Sequence, residues 1–273
     1  ASYDLPYQAH ATMEPMNCTA EVGKDYCRLW VPTQNPQGAR DIAARRAGLA
    51  PQQVQVHTTF LGCGFGRRAL VDYVGEAVEL SMHMGAPVQV LWSREEDLRR
   101  DYYRPGTHNL LKAVVDERGH PTVWLHRIVG ADAFGQAMPQ VIPAMLGERV
   151  PNLVKNGVAR AAEALGPRLI PGKKAGIGAG PLPYTLPRMQ VEFINDDPGF
   201  PVCWWRSVAP SSNCFAVECF VDEIAARSGR DPLDLRLELL ADNPRLRAVV
   251  QEVAERYGWR QQRRVGRFAG LAC

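Results

Sequence analysis

No two cysteines in this chain form a Cys-x-x-Cys pair, although it has seven, at 18, 27, 63, 203, 214, 219 and 273. An odd count without zinc or cluster spacing argues against a disulfide framework and against a thiolate metal site. Most are therefore expected to be buried, reduced thiols. The six histidines are scattered, so metal bound directly by this chain is not expected. An excess of one charge is missing too. Lys and Arg number 32 against 29 Asp and Glu, a net of +3, and no basic stripe is interleaved with aromatics. That balance gives no footing for nucleic acid. The densest basic run, Arg260, Arg263, Arg264 and Arg267, reads as a solvated face or loop. No apolar run reaches membrane-spanning length, and Ala1-Ser2-Tyr3-Asp4 lacks the pattern of a signal peptide. What the chain does have is length, 273 residues with 46% apolar content, enough for one large core or two small ones.

The stretch around which the rest is organised is Val54 to Arg68. A β-rich run enters a loop with glycines at 62, 64 and 66, and an amphipathic helix leaves it. Glycine lets a backbone bend sharply or lie against a ligand, and free N–H groups at the following helix start would favour a negative group. A tight strand-to-helix turn explains the same glycines. A dinucleotide fingerprint fails because Arg67 stands where the third glycine belongs, and no Lys-Ser or Lys-Thr follows to make a P-loop. A nucleotide-binding α/β enzyme built on Gly62 to Gly66 is accordingly the weakest reading.

Along the chain, residues 9–31 read as extended, with Tyr26, Arg28 and Trp30 alternating against Cys27, Leu29 and Val31. Asn35-Pro36 starts a helix that stops near Gly48, and a strand at 53–60 follows. The next helix places Leu70, Val74, Ala77 and Val78 on one face and stops at Gly85. Strands are predicted at 87–92, 109–115 and 122–129, the last two joined by Glu117-Arg118-Gly119-His120. A weakly helical stretch runs from Asp132 to Leu165. Gly166 to Pro183, with Lys173-Lys174 inside, reads as a mobile surface loop. A strand at 189–194 precedes a helix capped by Ser212-Asn213 and ended by Gly229. Asp231-Pro232 and Asn243-Pro244 start two more, the second with Leu246, Val249, Val250 and Val253 on one face. Phe268 to Cys273 looks like a strand beginning. Strands and helices mix without regular βαβ alternation, which makes the fold α+β and not a doubly wound sheet.

Three further stretches accompany the glycine loop: Pro32-Thr33-Gln34-Asn35-Pro36, Ser93-Arg94-Glu95-Glu96-Asp97 with Tyr103-Arg104-Pro105, and Trp204-Trp205-Arg206-Ser207-Val208. In order and spacing around Gly-Phe-Gly they resemble the large subunit of the molybdenum hydroxylases, the xanthine dehydrogenase and aldehyde oxidase family. Gly-Phe-Gly-Arg-Arg at 64–68 and His10-Ala11-Thr12-Met13-Glu14-Pro15 resemble its branch of isoquinoline 1-oxidoreductases and membrane-bound aldehyde dehydrogenases. The resemblance runs over nearly the whole chain and is weakest between about Asp132 and Pro181. It implies interlocked α+β subdomains of the molybdopterin-binding type, incomplete here as an internal segment. The first subdomain would span 1–130, a helical and Gly/Pro-rich insert 131–184, and the start of a second 185–273.

The resemblance also assigns roles. Gln34, on its own residues a turn or cap position, would sit beside the molybdenum. Gly64, Phe65 and Gly66 would approach the cofactor, with Phe65 as an apolar floor; alternatively Phe65 is a core aromatic. Cys63 replaces a glycine expected in most relatives, and Ala69 stands where xanthine dehydrogenases carry a substrate-orienting glutamate, which disfavours a purine. Arg104 would face the substrate, flanked by Tyr102 and Tyr103 as stacking rings; alternatively it pairs with Glu95, Glu96 or Asp97. Arg206 would hydrogen-bond the pterin; alternatively it stacks on Trp204 or Trp205. The implied cofactor is molybdenum-molybdopterin in its cytosine dinucleotide form. Its metal is ligated by the pterin's own sulfurs, and iron–sulfur clusters lie on a partner small subunit. The implied reaction is hydroxylation of an N-heterocycle or oxidation of an aldehyde, with water as the oxygen source and a cytochrome as a further acceptor. The family's base is a glutamate in a Gly-Glu pair near the subunit's C-terminus, and no such pair follows Arg206 here. Location on the periplasmic side of the inner membrane goes with that branch; a cytoplasmic location is the alternative. A cofactor-free module that kept the fold is the rival from another class.

Overall fold

The computed structural model describes residues 1–137, 175–261 and 266–273, with isolated positions between 141 and 161. The expected helix over most of 132–165, Lys173-Lys174, Arg263 and Arg264 lie outside the described residues.

Strands β1 (Ser2–Leu5), β2 (Asn17–Val22), β3 (Cys27–Val31), β4 (Val54–Thr58) and β5 (Val88–Leu91) come from the first third of the chain, with helices α1 (Pro36–Ala47) and α2 (Asp72–Met84) among them. Four of these strands form one sheet in the order β4-β3-β2-β5, with β3 and β4 parallel and the other pairs antiparallel. Period-2 patterning aims Cys27, Leu29 and Val31 at one face, where α1 and α2 bury Ala39, Ala43, Val74, Ala77 and Val78 against them. Local chemistry sets the helix ends. Asn35 accepts from Gly38 N at 2.9 Å, Pro36 opens α1, and Gly48 and Gly85 close α1 and α2 in the left-handed region. Leu70 is not on α2. It precedes the helix in extended backbone and packs with Ala137 and Cys203.

After the short helix α3 (Arg94–Arg99), a long hairpin of β6 (Thr107–Val115) and β7 (Pro121–Gly130) builds the second sheet. Its order is β1-β6-β7-β8, closed by β8 (Met189–Asn195), which runs parallel to β7. Helix α4 (Pro210–Arg227) lies on this sheet through Val217, Phe220, Val221 and Ile224 against Leu111 and Trp124. Helices α5 (Pro232–Leu239) and α6 (Pro244–Tyr257) complete that core, each opened by the expected Asp231 or Asn243 side chain.

Several expectations are corrected. Ser212 and Asn213 do not cap α4, which starts at Pro210. Ser212 Oγ donates back to the Ala209 carbonyl, and the Asn213 amide donates to the carbonyls of Ala175 and Ile177 at 2.7 and 2.9 Å. Those bonds anchor the described end of the Gly-rich loop, where Ala179 is fully buried, so this part is not a free surface loop. Val249 and Val253 are not core residues; only Val250 and Ala254 of α6 are buried. Phe268 to Cys273 forms no strand among the described residues; Ala269, Leu271 and Cys273 pack on the second core. Only Cys18, Cys27 and Cys203 of the seven cysteines are buried. Burial pushes Cys18 and Cys203 up to about 12 and Cys27 to about 11.

Candidate cofactor site

The glycine loop leaves β4 and turns through three residues with left-handed backbone, Cys63 (φ 71°), Phe65 (φ 51°) and Gly66 (φ 107°). Cys63 adopts a conformation that glycine holds without strain and other residues reach at a cost of ~1–3 kcal/mol. Gly66 is required by close approach to main chain, and Gly64 lies against a side chain. A Cβ on Gly64 would stand 2.3 Å from Gln34 Oε1, and one on Gly66 would stand 2.4 Å from the Trp204 carbonyl oxygen. Gln34, between β3 and α1, is fixed by its backbone N–H to the Arg68 carbonyl at 3.0 Å. Its Oε1 accepts from Gly66 N at 3.2 Å. Gln34 is exposed, and its amide keeps Nε2 as a donor.

Arg67 and Arg68, read in the sequence only as a missing third glycine and a branch signature, are what hold the loop in shape. Both are fully buried. Arg68 reaches the carbonyls of Pro32 at 2.9 Å, Glu14 at 2.7 Å and Cys63 at 3.2 Å. Arg67 makes a two-point contact with Asp72 at 2.8 Å and stacks on the Tyr102 ring at 5.0 Å. Burial pulls the Arg67 guanidinium down, but Asp72 and Asp101 outweigh it and the net shift is upward. Glu14 clamps the other end: its Oε2 accepts from Gly62 N at 2.6 Å, and its own N–H donates to the Gly62 carbonyl at 3.0 Å. The only sequence signal was a charged pair inside an otherwise apolar run. The start of α2 is not presented to the loop, since the turn Arg67–Ala69 intervenes and Asp72 occupies its first residue.

The segment Trp204 to Val208 crosses this loop. Arg206 N donates to the Phe65 carbonyl at 2.8 Å, and Ser207 and Val208 are left-handed at 71° and 57°. The Arg206 side chain is exposed and, among the described residues, its guanidinium has no hydrogen bond or ion pair; it does not stack on either tryptophan. Gln34, Phe65, Gly66 and Arg206 are thus brought together. They offer the Nε2 amide, the Arg206 fork and a half-buried aromatic ring, with no acidic or metal-ligating side chain among them. Among the described residues no cluster of His, Cys, Asp or Glu is arranged to hold a metal. A donor-rich, ligand-free surface fits a group that brings its own metal ligation and many acceptor oxygens and nitrogens.

Arg104 is elsewhere, behind the same segment. It is 9% exposed, donates through Nη2 to the Pro6 carbonyl at 2.8 Å, lies 5.2 Å from the Trp205 ring, and leaves Nε without a partner. Burial lowers its pKa. It lines a cavity of about 50 Å³ with Phe134, Trp204, Trp205 and Asn213. Trp204 lines this cavity and also approaches the glycine loop, where a Cβ on Gly66 would stand 3.0 Å from its Cδ1. Arg104 makes no ion pair with Glu95, Glu96 or Asp97; Asp97 pairs with Arg94. Tyr102 and Tyr103 have other partners, Arg67 for the first and Phe200 with the Leu98 carbonyl for the second.

The glycine loop is braced by buried arginines and crossed by the Arg206 segment, and residues 1–153 match the molybdopterin cofactor-binding domain family. The chain belongs to that family. It is 31% identical over 261 residues to the beta chain of isoquinoline 1-oxidoreductase from Brevundimonas diminuta, covering 95% of this chain and 30% of that protein. To a nicotinate dehydrogenase chain of Pseudomonas putida it is 29% identical over 265 residues, covering 96% of this chain and 20% of that one. Among solved structures, quinoline 2-oxidoreductase from Pseudomonas putida 86 superposes with a TM-score of 0.70 at 17% identity, over 96% of this chain and 33% of that chain. Aldehyde oxidoreductase from Desulfovibrio gigas gives 0.68 at 17%, over 95% and 27%. The chain therefore spans a third or less of the length of these proteins.

Proposed function

We propose that this chain supplies part of the pterin cradle in the large subunit of a molybdenum oxidoreductase acting on an N-heterocycle or an aldehyde. The observation that carries this is the meeting of Gln34, Phe65, Gly66 and Arg206, from distant parts of the chain, on one pair of crossed loops. The bound molybdenum–pterin would supply the two-electron oxidation that introduces an oxygen from water. The chain's own part is to bind and orient. Arg206 offers a planar fork to pterin or phosphate acceptors, and Gln34 Nε2 donates beside it. Phe65 keeps an apolar wall where substrate meets cofactor. Arg104, across Trp204, faces the substrate side and stabilises negative charge developing on a substrate heteroatom. The cytosine dinucleotide form, an iron–sulfur small subunit, a cytochrome acceptor and a periplasmic location are supported by resemblance to the isoquinoline 1-oxidoreductase and aldehyde dehydrogenase branch.

The test separates the two arginines in the complete subunit. Arg206→Ala is expected to lower molybdenum and pterin content. Arg104→Met, which keeps volume over Trp205, should leave content intact and lower kcat/KM by ~10²-fold. Metal analysis with dye-linked kinetics reads both. Full loading and unchanged kinetics in Arg206→Ala would remove the assignment of that residue to the cofactor, whereas a parent subunit that holds no molybdenum or pterin would favour the cofactor-free module.

A further inference from the structure

His10 has no part in the chemistry above, yet its buried contacts converge on the crossing of the two loops. Its side chain is 1% exposed and that of Asp101 is 2%. Nδ1 lies 3.1 and 3.2 Å from the two Asp101 carboxylate oxygens, and the His10 backbone N–H donates to the same carboxylate. Nε2 lies 3.2 Å from the carbonyl oxygen of Trp204. The two ring nitrogens thus face the Asp101 carboxylate on one side and the Trp204 carbonyl oxygen on the other. Asp101 is itself held, by a hydrogen bond from Tyr102 N at 2.8 Å and by an ion pair with Arg67, whose Nε lies 2.9 Å away without hydrogen-bond geometry. The Trp204 carbonyl is the same atom that excludes a Cβ from Gly66, and two residues later Arg206 N binds Phe65 O.

We propose that His10 is a positioning residue for the cofactor cradle: it grips the Trp204 carbonyl, fixes where residues 204–206 cross the glycine loop, and so aims the Arg206 guanidinium. The chain of support runs from Asp72 through Arg67 and Asp101 to His10, which ties the start of α2 to a segment far away in sequence. The proposal rests on the reading of Arg206 as a cofactor contact.

Two substitutions separate the ends of the imidazole, because glutamine places an amide nitrogen near Nε2 and asparagine places one near Nδ1. In the complete subunit with its partners, His10→Asn is expected to release pterin about tenfold faster than the parent, and His10→Gln to stay within about twofold. The opposite ranking, or equal loss in both, overturns the proposal, since a role confined to Asp101 spares asparagine. In an Arg206→Ala background the added effect of His10→Asn should shrink to less than about twofold. A tenfold effect that persists there, with Arg206→Ala itself releasing pterin faster than the parent, overturns the proposal alone. Unchanged release from Arg206→Ala overturns the assignment of Arg206 and the proposal together. If His10→Asn does not fold, His10→Gln still decides, because tenfold faster release from it overturns the proposal.

Discussion

Gly66 combines two demands that no other residue meets, a φ of 107° and a Trp204 carbonyl oxygen 2.4 Å from where a Cβ would sit. Gly66→Ala should cost ~1–3 kcal/mol of stability from backbone strain alone, and the collision with main chain should push the Arg206 segment off the loop. Gly64→Ala meets only the Gln34 amide, which can rotate away. The expected order is therefore a larger fall in denaturation midpoint for Gly66→Ala and loss of pterin from both. Equal midpoints in the two variants and the parent would contradict the close approach. The glycine spacing itself was readable in the sequence, because conformational freedom is a property of the residue. The role of Arg68 was not, because its acceptors Glu14, Pro32 and Cys63 come from three separate stretches that only the fold brings together. Arg104 shows the same limit: its neighbours in sequence offered the carboxylates of Glu95, Glu96 and Asp97 as alternative partners, and in space it meets the Trp205 ring and the Pro6 carbonyl.

Elements governed by local chemistry were legible. Asn35-Pro36, Gly48, Gly85, Asp231-Pro232 and Asn243-Pro244 mark helix ends where the sequence puts them, since a cap needs only residues three or four apart. Ser212-Asn213 misled because its amide serves the distant carbonyls of Ala175 and Ile177. Asn35 joins the two kinds of contact, capping α1 and donating to the Ala69 carbonyl at 3.1 Å, so Asn35→Ala should cost ~1–2 kcal/mol in a denaturant titration. The β6–β7 hairpin carries a pH effect with a defined sign. His126 is fully buried, its Nε2 is 2.9 Å from Asn109 Oδ1, and burial lowers its pKa from 6.5 to about 4. As pH falls the unfolded chain takes up this proton first, so stability is lost between about pH 6.5 and 4 and is unaffected by this group above that window. The shift corresponds to up to ~3 kcal/mol. His126→Gln keeps a hydrogen-bonding group near Nε2 without titrating and should flatten that part of the acid limb. An unchanged acid slope in the variant would show that other groups set it.

At the scale of the whole molecule, chain order and spatial order diverge. The first strand, β1, pairs with β6 in the sheet that β8 completes, and Tyr3 Oη donates to Glu223 of α4 at 2.6 Å, while residues 17–91 build the other sheet. This interlocking was expected from resemblance and could not be read from periodicity, which says which face of a strand is buried but not which strand lies beside it. Periodicity also overestimated the core of α6. Val250 and Ala254 are buried, yet Val249 and Val253 are each 53% exposed and Tyr257 is 60% exposed, at i, i+4 and i+8 on one side of the helix. Each half-exposed valine retains ~1 kcal/mol of apolar burial not yet realised, and association that covers this stripe would recover it. The 273-residue polypeptide made alone should therefore bind a hydrophobic dye and self-associate as its concentration rises. Val249→Glu with Val253→Lys places an ion pair at helical spacing on the same face. It should weaken self-association by about tenfold or more and reduce dye binding, with the helical circular dichroism unchanged. Sedimentation of both proteins across a concentration series measures the first effect directly. A parent that stays monomeric with little dye bound, or a variant that associates as strongly as the parent, would show that this stripe is not a contact surface.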